Sequence, residues 1–246
     1  MKYLGLLMIN AEDDILADTL RVNAKLVDAF YVLDGTQPND TSRAICRSFD
    51  NCHDYLTEAD MSDGWGERPR DGWRETIYQM AAADHGYDNW FLLLHGDEVW
   101  TFDPRAVTAR WPNADGFGFR LPFYFPIEAD GWDDSRPALE QLRWRLGPGW
   151  PEFRMFRGSQ HVHYDRRQHF DTQPHGLTNV AWTDLEIRHY PFRSPETQRA
   201  RARRHEETGF DPDNYRHILD GDAVYWTDEM IEAFRRREQF RELACV

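Results

Sequence analysis

Residues 90 to 98 read Trp-Phe-Leu-Leu-Leu-His-Gly-Asp-Glu, an apolar run that ends in two adjacent acids. An apolar run of this length is the pattern of a strand buried on both faces, as in the middle of a parallel sheet. Asp97 and Glu98 then stand just past its carboxyl end, the edge at which open α/β sheets bind ligands. Carboxylates in that place can hold a hard cation that also bridges substrate phosphates. The same residues would equally make a plain acidic turn. The chemistry to expect is a metal-assisted site for a phosphorylated ligand.

The elements that must position this site are readable on either side. Tyr3 to Ile9 is a first buried strand, followed by Asn10 and by Glu12-Asp13-Asp14, acids that suit the first turn of a helix. Ile15, Thr19, Val22 and Leu26 keep helical spacing to about residue 27. Residues 29 to 33 are a second buried strand that ends in Asp34-Gly35-Thr36, with Asp40 or Thr41 as the cap of a helix to Phe49. Strand, helix and strand make a βαβ unit with a parallel sheet. A short strand is expected at 54–57, a loop with Arg68 and Arg70 at 61–71, and a helix at 73–83. Further on, 106–109 reads as a short helix, 116–124 as a strand, and 126–137 as an acidic loop with Asp130, Asp133 and Asp134. Glu152 to Arg157 and Leu185 to Tyr190 alternate charged and apolar residues and read as half-exposed strands, with another strand expected at 161–164. An arginine-rich helix at 195–208 and a helix from Thr227 to about Leu243 close the chain.

Composition narrows the function. The 246 residues carry 29 Lys and Arg against 43 Asp and Glu, a net charge of −14, which argues against a nucleic-acid partner. An anionic substrate would need locally gathered Arg or a metal. Cys46, Cys52 and Cys245 have no metal or redox spacing and are expected to be free thiols, which suits the cytoplasm. No apolar run reaches the roughly 20 residues of a membrane span, so no transmembrane segment is expected.

The order of these motifs resembles a family 2-type glycosyltransferase of the GT-A fold. The resemblance rests on the strand ending at Asn10-Ala11-Glu12, on Leu33-Asp34-Gly35-Thr36, on the Arg-bearing loop into the helix at 70–73, on 90–98, and on His189-Tyr190-Pro191-Phe192-Arg193. It covers residues 1 to 105 and resumes at 189–198. It implies an α/β fold with a mixed, mainly parallel sheet flanked by helices over residues 1–194, and a helical extension over 195–246. It also implies a metal-dependent hexosyltransferase that moves a sugar from a nucleoside diphosphate sugar, UDP-linked, to a saccharide or other acceptor hydroxyl.

Carried over residue by residue, Asn10, Glu12, Asp34 and Gly35 would line the nucleotide pocket, with Arg70 and Arg193 at the phosphates. Asp97, His95 and His189 would hold Mn²⁺ or Mg²⁺, and Glu98 would sit near the donor sugar. Asp130, Asp133 or Asp134 would be the base on the acceptor. The family has an acid where this chain has His95, and an imidazole ligand would favour Mn²⁺ or a later metal.

Three other readings compete. His161, His163, His169 and His175 could serve a zinc hydrolase, although their spacing fits no closed ligand set. A nucleotidyltransferase would want a Gly-rich basic loop after the first strand, and here that loop is acidic. A sugar-nucleotide-binding or scaffold protein of the same fold would do no chemistry, and His95 is its best support.

Overall fold

The computed structural model describes residues 1–9, 12–35, 40–57, 72–126, 131–133, 135–165 and 173–208. Asn10, Arg70, Asp130, Asp134, His169 and the expected helix at 227–243 lie outside them. The chain divides into two compact units. The first is Met1–Arg120 with Pro151–Ile187, and the second is Leu121–Trp150 with Arg188–Val246.

The first unit is a mixed α/β sheet with flanking helices. Its elements are β1 (Tyr3–Ile9), α1 (Asp13–Asn23), β2 (Ala29–Asp34), α2 (Asp40–Arg47), β3 (Cys52–Thr57), α3 (Trp73–His85), β4 (Trp90–His95), β5 (Glu98–Trp100) and α4 (Pro104–Arg110). The strands β6 (Gly116–Phe125), β7 (Trp144–Arg157) and β8 (Val180–His189) contribute their segments 116–120, 151–157 and 180–187. The strand order is β3-β2-β1-β4-β7-β6-β8-β5. β1 lies parallel to both β2 and β4, and β2 parallel to β3, while β7 joins β4 antiparallel.

The reason for this core is in the residue types. β1, β2 and β4 are central strands, so both of their faces need apolar side chains. Leu4, Leu6, Phe30, Leu33, Phe91 and Leu93 are all at most 1% exposed. On one face α3 packs on β1 and β2 through Ile77, Tyr78 and Ala81, joined by Phe153 and Phe156 of β7. Tyr78 meets Phe91 and Phe156 edge to face at 4.8 and 5.3 Å, an arrangement that aromatic quadrupoles favour. Cys46 and Cys52 are free thiols, and burial pushes the Cys52 thiol up to about 11.

Two expectations change here. The segment 152–157 is not half-exposed: Phe153, Arg154, Met155 and Phe156 are all buried, because Arg154 is neutralised inside the fold by acids from two strands. The expected strand at 161–164 reduces to one bridge between His163 and His175, their rings stacked at 5.4 Å.

In the second unit α5 (Ala138–Gln141) and the start of α6 (Pro195–Thr208) accompany the remaining parts of β6, β7 and β8. Tyr124 and Tyr190 pack at 5.0 Å, and His189 meets Phe123 edge-on at 4.9 Å. No described helix is long and apolar enough to cross a membrane.

Candidate functional site at the carboxyl edge of the parallel strands

Parallel pairing brings the carboxyl ends of β2, β1 and β4 onto one edge. Ile9 pairs with Asp34, and Met8 with His95. The backbone past each strand stays in register, since Gly35 N–H donates to Ile9 C=O at 2.9 Å and Gly96 N–H to Met8 C=O at 3.2 Å. Three acids follow from this geometry. Asp34 ends β2, Glu12 lies three residues past β1, and Asp97 lies two past β4, with exposures of 1%, 8% and 4%. Glu12 reaches the β4 turn: a Cβ placed on Gly96 would stand 3.2 Å from its Oε2.

Buried carboxylates are costly unless something polar meets them. Asp34 accepts a short hydrogen bond from the Tyr55 hydroxyl, and burial together with that bond raises the phenol well above its usual range. Glu12 sits at the start of α1, where its carbonyl accepts from Ile15 and Leu16 N–H at 3.0 and 2.8 Å.

The turn from β4 to β5 is held from beneath by α1. The Thr19 hydroxyl donates to Gly96 C=O at 2.7 Å, and Asn23 Nδ2 to Glu98 C=O at 2.7 Å. Asn23 Oδ1 in turn accepts from Trp100 N–H at 3.1 Å. Helical spacing puts positions 19 and 23 on one face, so a single pair of polar side chains fixes the path of the turn.

Glu98 opens β5. It is fully buried, and Arg154 grips both carboxylate oxygens, Nη2 at 2.7 Å from Oε1 and Nε at 3.2 Å from Oε2. Such a fork is the strong form of an ion pair. Arg154 also meets Glu152 at 2.9 Å. Glu98 therefore orients its neighbours.

One of those neighbours is His95, whose Nδ1 lies 3.3 Å from Glu98 Oε1. Burial, with Arg154 and Arg74 nearby, lowers the imidazole to about 4 against the pull of Glu98, so the ring is neutral at pH 7. Its Nε2 is buried with no hydrogen-bond partner. A carboxylate behind a neutral histidine is the arrangement found behind metal-bound imidazoles. His95 and Asp97, at the end of β4, are the residues that would hold a divalent cation at this edge, where it would neutralise phosphate charge. Among the described residues, His161, His163 and His175 included, no three His, Cys, Asp or Glu side chains form a metal-binding group.

Other expected residues stand differently. At Gly35 the Trp73 ring packs on the side where a Cβ would stand, which would fall 2.3 Å from its Cη2. Asp133 is exposed, and the Ser135 hydroxyl and N–H hold its carboxyl below the usual range. Its acceptor oxygen is turned into its own loop, which suits a capped turn better than a base. Arg193 is 1% exposed and donates to Tyr190 C=O at 3.0 Å in the second unit, where His189 also lies. Arg74 and Arg154, both close enough to His95 to lower its pKa, are the site residues that the motif order does not single out.

No family model and no curated protein matches the chain. Among solved structures it is similar to HddC from Yersinia pseudotuberculosis, at 8% identity and TM-score 0.40, over 76% of this chain and 92% of that one. Mannose-6-phosphate isomerase from Helicobacter pylori gives 10% identity and TM-score 0.35, over 81% and 89%. The 4-diphosphocytidyl-2C-methyl-D-erythritol synthase from Anaerococcus prevotii gives 13% and 0.37, over 74% and 89%. Likeness at this level concerns the path of the chain and assigns no chemistry.

Proposed function

We propose that the chain is a glycosyltransferase that moves a sugar from a nucleoside diphosphate sugar, UDP-linked, to an acceptor hydroxyl, with Mn²⁺ or Mg²⁺ at the diphosphate. The observation that carries this reading is the row of buried acids Asp34, Glu12 and Asp97 on one edge of adjacent parallel strands. Glu12 and Asp34 have acceptor oxygens for ribose hydroxyls or a base N–H. Asp97 and His95 are the proposed metal ligands. A bound cation would supply charge neutralisation to the departing nucleoside diphosphate. Glu98 and Arg154 lie against His95, and Arg74 and Arg70 are the proposed cationic partners of the phosphates. Asp130 and Asp134 are the remaining acids proposed for the acceptor hydroxyl.

The first turn of α1 carries Asp13 and Asp14. A helix start that bears acids is a poor cradle for a triphosphate, which disfavours nucleotidyl transfer and leaves the β4–β5 turn as the place for phosphates. A cytoplasmic enzyme with a helical extension from Pro195 completes the reading. The non-catalytic alternative, a sugar-nucleotide-binding protein of the same fold, draws on one specific observation: His95 stands where the family has an acid.

The test is thermal unfolding with UDP, GDP and dTDP, each with and without Mn²⁺. A ligand at a hundred times its Kd stabilises by about 2.7 kcal/mol. One nucleotide should raise the melting temperature only when Mn²⁺ is present, and Asp97→Asn should abolish the rise while keeping the apo melting temperature. Indifference to all three nucleotides sinks the reading. Release of free sugar from the matching donor then separates an enzyme from a binder.

A further inference from the structure

Tryptophan is usually well buried, yet Trp182 of β8 is 54% exposed. Its exposure is orderly. A Cβ built on Gly118 of β6 would stand 2.0 Å from Trp182 Cε3, 2.2 Å from Cζ3 and 2.7 Å from Cδ2. Side chains rise roughly perpendicular to a sheet, so a Cβ aimed into the six-membered ring means that the indole lies flat on the backbone of β6. The Thr183 hydroxyl, donating to Gly118 C=O at 3.3 Å, keeps the two strands in that relation. One π face of Trp182 rests on glycine, and the opposite face is presented to solvent.

Side chains two residues apart share a face of a strand. One step along that face come Arg120 on β6 and Asp184 on β8, with Nε 3.6 Å from Oδ1. Asp184 is 98% exposed and Arg120 29%. The surface is thus a flat aromatic plate with a donor and an acceptor at one edge.

We propose that this face of β6 and β8 is a saccharide-binding platform. Its ligand is a neutral hexopyranose unit of a glycan, which lays its C–H face on Trp182 and turns hydroxyls to Arg120 and Asp184. A pyranose has an apolar face and a polar rim, which this surface matches; a guanidinium donates to a hydroxyl and a carboxylate accepts from one. A nucleobase would also stack on an indole. The exposed Asp184 and a chain of net charge −14 disfavour a phosphorylated ligand. The platform does not depend on the nucleotide reading, because it would hold a glycan in a lectin as well as in a transferase.

The test puts the full chain on an array of neutral oligosaccharides and titrates the best glycan by calorimetry. Affinity should fall about tenfold in Trp182→Ala, as for an aromatic anchor, and less in Trp182→Phe, which keeps a ring. Gly118→Ala, which forces the indole off the sheet, should weaken binding several-fold, and Trp144→Ala, in the second unit, should leave it unchanged. Asp97→Asn should bind the glycan normally, and Trp182→Phe should keep any nucleotide-dependent thermal shift, so failure of one site is told from failure of the other. Absence of glycan binding, wild-type affinity in Trp182→Ala or Gly118→Ala, or competition by UMP overturns the platform.

Discussion

The acids of the turn from β4 to β5 and Asp133 of the loop ahead of α5 both lie in short acidic stretches, yet they are built in oppositely. Asp97 and Glu98 are at most 4% exposed, and their turn is tied to α1 and β7 by Thr19, Asn23 and Arg154. Asp133 is exposed and bonds only locally, to Ser135 and Gln141. Buried acids must be met by partners from elsewhere in the fold, whereas exposed ones are satisfied by water and neighbours. The difference marks the first turn as a place where geometry is fixed and the second as a place where it is not.

The largest effect that would break this contrast is at Arg154. Arg154→Ala leaves Glu98 buried without its counter-ion and should cost about 3–5 kcal/mol in denaturant unfolding. Recovery of most of that loss in Glu98→Leu with Arg154→Met would show that the pair positions the turn more than it stabilises the fold. Next comes pH. His95 binds a proton less readily folded, at about 4, than unfolded, near 6.5. Its contribution to stability is complete above 6.5 and is lost as pH falls towards 4, on the order of 3–4 kcal/mol. In His95→Gln the slope of stability against pH over that window should be shallower by one proton. Asn23→Ala removes the partner of Glu98 C=O and of Trp100 N–H and should cost about 1–3 kcal/mol. Asp133→Asn, at the other extreme, should change stability by less than about 0.5 kcal/mol. A cost there equal to that of Asn23→Ala would erase the contrast.

Sequence made the parallel half of the sheet plain. Central strands must be apolar on both faces, so β1, β2 and β4 announced themselves, and α3 followed from its apolar stripe. β5 escaped because three residues carry no period, and the early part of β7 because Gly147, Gly149 and Pro151 interrupt any alternation, with Gly147 and Gly149 at φ of 48° and 71°. At the site, Asp97, His95 and Glu12 were legible from strand ends. The pairing of Glu98 with Arg154 was not, since Arg154 lies 56 residues away and reads locally as a surface charge on an alternating strand. The packing of Trp73 at Gly35 was hidden for the same reason: glycine signals room for a neighbour without saying which neighbour takes it.

The clamp from α1 has a kinetic consequence. Thr19 and Asn23 meet Gly96 and Glu98 across 77 and 75 residues of chain. Contacts that close such long loops form late and slow folding. The turn that carries Asp97 therefore takes its final shape only after β1, α1 and β4 have assembled, and a refolding chain should regain its secondary structure before it can hold a ligand at that edge.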